Sequence, residues 1–298
     1  MKKLSLLLSF LFLFTGCNSY TELNDLGIIN MIGIEKKENN YNLYATILEK
    51  EKEDEEPTNT LYEIKGETIQ ESFNHLSLRL SKKIYLSHLD LLVINDSIKT
   101  NELNNLINFF LNESESRNNF LVVTTNNIKD LLENAKFQEI NNLVKINEET
   151  TSKSIYTTMF DVMNNYYSKK PIYFTNLDAT KNISINGLTK LEKNKYEFIN
   201  ENKSLFINYL INNISSLKIN LTCDSNKYLY LNILSSNTNT IKDTLIITNE
   251  IKVITNDCQL NKDSINKKIN TYLQNNIKEF TSQDIVIKNT IRSVYEKH

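Results

Sequence analysis

The sequence predicts an α+β fold, with helices packed on mixed sheets and more than one domain. Three observations carry that prediction. Between residues 26 and 125, strand-like apolar runs alternate with segments of helical period, a rhythm that lays helices on a mixed sheet. Near Pro171 the texture changes to short β-type runs with tight turns, and a long amphipathic helix follows. The chain has 298 residues, enough for one large or two ordinary domains with real cores.

The amino terminus is read first as a targeting segment. Lys2 and Lys3 precede the apolar block LSLLLSFLFLF at residues 4–14, long enough for the core of an export signal. A spanning helix needs about 20 apolar residues, so the block does not span. It ends on Thr15 and Gly16, which lead directly into Cys17, small residues placed as in a lipobox. Residues 1–16 are therefore expected to be a lipoprotein signal peptide, with Cys17 the lipidated mature terminus. Phe14 stands where leucine is usual.

Past the cysteine, residues 26–34 and 41–49 are β-type runs separated by the polar turn KKENN, a hairpin. Residues 49–57 form a charge run ending in Pro57, read as a solvated loop. Ile69, Phe73, Leu76 and Leu80 line one face of a helix over 67–80, with Thr68 and Glu71 at capping-box spacing. A buried strand is expected at 84–94, a helix at 98–111 and a strand at 120–125. Helices are then expected at 127–135 and 152–166; the latter aligns Ile155, Met159, Val162 and Tyr166, with Met159 and Met163 as core filler. Between 172 and 200 the reading is strands with tight turns at Asn186-Gly187 and Lys193-Asn194. A helix at 203–212, β runs at 215–223, 227–234 and 244–255, and a helix with Ile265, Ile269, Tyr272, Leu273, Ile277 and Phe280 on one face complete the order. A domain boundary is expected near residue 178.

Composition narrows the function classes. With 34 basic and 36 acidic side chains the net charge is −2, and no basic stripe marks a nucleic-acid binder. Five glycines leave little room for a phosphate-cradling loop, and no nucleophile elbow occurs. His88 stands beside Asp90 by strand alternation; an acid–base pair is one reading, a core or edge histidine with a local hydrogen bond the preferred one. His75, His88 and His298 have no recognisable metal-ligand spacing, so neither metal nor cofactor is expected. Glu113, Glu115 and Arg117 read as a solvated helix end rather than a charged site. Cys223 and Cys258 could close a loop of about 35 residues in an exported chain or stand as two unpaired thiols; the sequence leaves both open.

Three blocks carry a family likeness. The stretch YTELNDLGIINMIGIE follows Cys17 closely, and Tyr20, Glu22, Leu23, Asn24, Asp25, Leu26, Ile28, Gly33 and Ile34 fill a pattern in which Thr21 replaces the usual arginine. The stretch KGETIQESFNHLSLRLSKKIYLSHLDLLVIND sets Gly66, Thr68, Ile69, Tyr85, His88 and Leu89 in register, and FFLNESESRNNFLVVT supplies the third block. In this order the blocks resemble the Ger(x)C or GerAC family, the C-subunit lipoproteins of spore germinant receptors. The likeness is more diffuse beyond residue 125, where Asn186-Gly187 stands at a family glycine, and the tail departs from the pattern after Asp284-Ile285.

The resemblance implies three packed α+β subdomains: a region 17–178, dividing near 126, and a carboxy-terminal domain 179–298. It implies a non-enzymatic subunit lipidated at Cys17, on the outer face of the spore inner membrane, assembled with A-type and B-type membrane subunits. The competing expectation is an unrelated extracytoplasmic lipoprotein that binds a solute or acts at the cell wall.

Overall fold

The apolar alternation after residue 25 nucleates a hairpin, and the rest of the first sheet grows from it. The computed structural model describes residues 25–49, 58–113, 116–180, 182–223 and 226–292. Strands β1 (Leu26–Lys37) and β2 (Asn40–Glu49) pair antiparallel around Glu38 and Asn39, as expected. Strand β3 (Thr58–Gly66), not expected from sequence, adds to β2 as an edge. Helix α1 (Ile69–Leu80) starts at Thr68, whose Oγ1 accepts from the Glu71 amide at 3.1 Å. It closes on Ser81 in the left-handed conformation.

The run expected to be one strand at 84–94 is two. Strand β4 (Lys83–Tyr85) pairs with Leu26–Ile28, and β5 (Leu91–Ile94) pairs with Met31–Ile34 of the same strand β1. Two residues of β1 separate those pairings, whereas five separate β4 from β5. The surplus loops out at 86–90, closed by the Leu89 amide donating to Leu86 O at 3.0 Å.

Helix α2 (Thr100–Asn112), β6 (Leu121–Thr125) and α3 (Ile128–Asn134) fall where expected, and α4 (Phe137–Thr151) is an addition. The helix expected at 152–166 is shorter. Residues 153–157 form no helix, the Val122 amide donates to Thr157 O, and Thr158 bridges Leu121; only α5 (Met159–Tyr167) is helical, begun by a reciprocal Thr158–Asp161 capping box. Ile155 and Met159 are both buried, but they belong to different elements.

Strands β7 (Ile172–Asp178), β8 (Ser184–Glu192) and β9 (Lys195–Asn200) complete a nine-stranded sheet of order β3-β2-β1-β5-β6-β7-β8-β9, with β4 beside β1. Its centre is parallel and its edges are antiparallel hairpins. Helices α1, α2 and α5 bury their apolar faces on one side, α3 and α4 on the other. This is why Leu91–Ile94 and Leu121–Thr125 are buried at every position. The division near 126 falls between elements that share this sheet, and the boundary near 178 falls within the β7–β8 hairpin. Of the two expected turns, Lys193-Asn194 is one, with φ of 48° and 65°. Asn186-Gly187 is instead a bulge inside β8, between the pairs Asn176↔Gly187 and Leu177↔Ile185. Gly187 has φ 146°, and a Cβ there would sit 2.1 Å from Ile199 O, so only glycine fits.

Helix α6 (Glu201–Leu210) leaves β9 without a linker and is shared by two cores. Ile207 packs on Leu188 and Ile199 of the large sheet, while Leu205, Phe206 and Tyr209 enter the second core. That core covers the antiparallel strands β10 (Leu217–Thr222), β11 (Tyr228–Ile241) and β12 (Thr244–Asn256). The crossover helix α7 (Lys262–Ile277) then returns the chain to β13 (Asp284–Arg292), parallel to β12. The long apolar helix face expected from sequence is α7, with Ile265, Ile269, Leu273 and Ile277 buried.

Candidate functional site

Cys17, the residue on which the functional reading leans most, lies outside the described residues. The fold that follows it begins at β1, so a chain held at Cys17 enters the body at the middle of the large sheet.

The other residues selected from sequence are dispersed. His88 sits exposed in the loop between β4 and β5, its ring centroid 5.9 Å from that of Tyr85. Asp90 uses its backbone amide to bond Asn30 O, and burial raises its carboxyl pKa against the opposing pull of His88. The two side chains are not hydrogen-bonded, so the structure builds no acid–base pair there. Glu113 caps α2 through its amide to Phe109 O at 3.1 Å, Arg117 lies in the following loop, and Glu115 is outside the described residues. Met159 and Met163 are core residues. Among the described residues no group of three or more His, Cys, Asp or Glu could hold a metal.

Cys223 and Cys258 are bonded, with Cα atoms 6.1 Å apart. The bridge ties the end of β10 to the loop between β12 and α7, two points brought together by the β11–β12 hairpin.

Two polar constructions were not visible in the sequence. The first surrounds Glu35, near the end of β1. Its carboxylate accepts from Tyr44 OH at 2.9 Å, Asn42 Nδ2 at 3.2 Å and Asn95 Nδ2 at 3.2 Å, and pairs with Lys37 at 2.5 Å. Burial alone would raise its pKa; the hydrogen bonds from Lys37, Tyr44 and Asn42 outweigh that and hold it below the usual carboxylate range. Tyr44 is pushed in the opposite direction, by burial first and by Glu35 second.

The second construction joins the two sheets. Asn208 of α6 is fully buried and donates to Ser152 O at 2.7 Å and Ser154 O at 3.2 Å, while its Oδ1 accepts from Asn213 at 3.1 Å. Asn213 also donates to Glu148 Oε1 at 2.8 Å, and Ser152 Oγ to Ser216 O at 3.1 Å. A cleft of about 660 Å³ opens beside this network, lined by Tyr156, Tyr173, Leu210, Asn213 and Phe280 among others. An Asn208→Ala protein is expected to lose about 2–4 kcal/mol, because two buried carbonyls lose their donor at once. Equilibrium denaturation checks this, with an Asn213→Ala protein, in which the Asn208 amide keeps both its acceptors, expected to lose less.

The geometry defines a class: a two-sheet α+β protein whose family-like sequence blocks, as far as they are described, lie in the larger sheet and the helices and loops beside it. Residues 19–177 match the family described as the spore germination protein N-terminal domain. That is more than half of the chain, and the chain belongs to this family, the Ger(x)C proteins whose pattern its blocks resemble. The competing expectation of an unrelated lipoprotein is thereby set aside. A curated relative, spore germination protein KC of Bacillus subtilis (strain 168), is 26% identical over 246 residues, covering 69% of this chain and 60% of the relative. The match thus spans less than two thirds of that protein. The crystal structure of the GerBC protein shares the fold with a TM-score of 0.54 at 13% identity, over 88% of this chain and 96% of that one. The family match stops at 177, although the sheet it belongs to continues to Asn200.

Proposed function

We propose that this protein acts in spore germination as the lipid-anchored, non-enzymatic C subunit of a germinant receptor. Cys17 carries the anchor, the body lies on the outer face of the spore inner membrane, and polytopic A-type and B-type subunits are its partners. The observation that carries this reading is the match of residues 19–177 to the spore germination family, directly behind the apolar block at 4–14 and Cys17, which are read here as an export signal and its lipidation site. The relatives' names point the same way. No helix among the described residues is long and apolar enough to cross a membrane.

Confinement to a surface makes such a subunit effective without a reaction of its own. Two tethered proteins meet at an effective concentration set by the tether, so weak contacts suffice for assembly. Deletion of the gene tests the role: spores are expected to lose their response to at least one nutrient while others still trigger them. An unchanged response to every nutrient, in a strain also lacking paralogues, would overturn it.

A further inference from the structure

A pocket of about 500 Å³ opens where α5, the β8–β9 turn and the start of α2 meet. Its floor is apolar: Ile172 and Leu191 are only 3% and 4% exposed. Tyr166 and Tyr167 form one wall, edge to face with centroids 5.4 Å apart. Its rim carries Lys169, Lys170 and Lys193, all exposed. The ammonium groups of these three lysines make no hydrogen bond or ion pair among the described residues. The one lining carboxylate, Glu192, is bound to Lys190 at 2.8 Å and is also within the field of Lys193, so the rim's three ammonium groups share a single carboxylate that is already paired. Thr100, the first residue of α2, completes the wall with its amide taken by Asn194 Oδ1 at 2.9 Å, so the positive end of a 13-residue helix also faces this place.

The rim thus carries three ammonium groups against one carboxylate, a local positive excess in a chain whose net charge is −2. A pocket of this volume, with an apolar floor, an aromatic wall and a few convergent polar groups, has the make-up of a ligand site. We propose that it binds an organic anion: a phosphate or carboxylate held by Lys169, Lys170 and Lys193, on an apolar body seated against Ile172, Leu191 and the tyrosines. Lysine serves here as a point charge and imposes no bidentate geometry, so either anion fits. The proposal goes beyond the assembly role. The same chemistry is offered by a small soluble molecule and by the head and upper chain of an anionic phospholipid; only the second source rests on the membrane anchor.

The test follows lysine acylation by mass spectrometry on the full lipidated chain in phosphatidylcholine nanodiscs. One arm adds phenyl phosphate; the other replaces part of the lipid with phosphatidylglycerol. At about ten times its dissociation constant, phenyl phosphate is expected to slow labelling of Lys169, Lys170 and Lys193 about tenfold, following the fraction of free sites. Lys218 and Lys252, exposed on the second sheet, should be unaffected. Protection in the first arm identifies a soluble ligand, and protection only in the second identifies the lipid. Substituting all three lysines by glutamine should abolish saturable phenyl phosphate binding in calorimetry without changing thermal stability. Uniform protection of all lysines, no protection in either arm, or protection only when membrane subunits are present would overturn the proposal. The phenyl phosphate arm can be run on unanchored protein, so a failure of the anchor is read separately.

Discussion

A Cys17→Ala protein is expected to leave the membrane fraction and to lose the acyl mass from its amino terminus. The expected effect is large, because among the described residues no helix is long and apolar enough to span. Each buried methylene contributes about 0.8 kcal/mol, so a single acyl chain binds only marginally and two hold stably. Seven residues separate Cys17 from Asp25, where the described fold starts, and eight fully extended Cα–Cα steps reach at most about 28 Å. An anchor at Cys17, as proposed, would keep the large sheet within about one protein diameter of the bilayer. Fractionation with mass spectrometry of the mature terminus checks this; a variant that stays with the membrane, or a natural protein with an unmodified terminus downstream of position 17, contradicts it.

The second large effect is expected from a Cys223→Ser/Cys258→Ser protein. Its residues are 35 apart in sequence, and cross-linking a loop of that size restricts the unfolded chain by about 3–4 kcal/mol. Both sulfurs pack against the core of the second sheet, so the loss should appear as earlier unfolding of β10–β13 and α7 while the large sheet persists. Reductant added to the natural protein should give the same shift. If reductant changes nothing, the two cysteines are thiols in solution.

The elements legible in the sequence were those whose signals are local. The first hairpin announces itself by alternation around a polar turn. Helix α1 shows a four-residue apolar face and a cap, and α7 a face that recurs over four turns. The missed elements lacked such signals. Strand β3 is an edge with only two buried positions, Ile64 and Gly66. Helix α4 buries just Ile140 and Val144, and β13 only Ile287 and Ile291. The run 84–94 is mostly apolar, broken only by Ser87, His88 and Asp90, and its division depends on the spacing of partners along β1, which no window of sequence contains.

The boundary expected near 178 has a physical origin in a different feature. The parallel strands β5 and β6 are covered by helices on both faces and read as continuous apolar runs. Strands β8 and β9 are antiparallel and more exposed, β9 burying only Ile199, so their sequences carry more polar residues. A change of pairing within one sheet therefore looks like a change of domain.

Of the candidate site, the sequence showed Cys17 and the family blocks and gave no hint of the lysine-rimmed pocket or the Asn208 junction. Lys169 and Lys193 are separated by two strands, β7 and β8, and each alone is an ordinary surface charge. Asn208 is one asparagine among many.

By itself, then, the sequence determined the family and the order of the strong elements, and it proposed the place of an anchor, because these rest on contiguous residues: an apolar block, a cap, a periodic face. Only the tertiary structure decided which strands share a sheet, that α6 serves two cores, that Cys223 meets Cys258, and that three lysines converge on an apolar floor. Those facts depend on where the chain returns after long excursions, and return points are set by the burial of whole faces against each other rather than by any residue's neighbours in sequence.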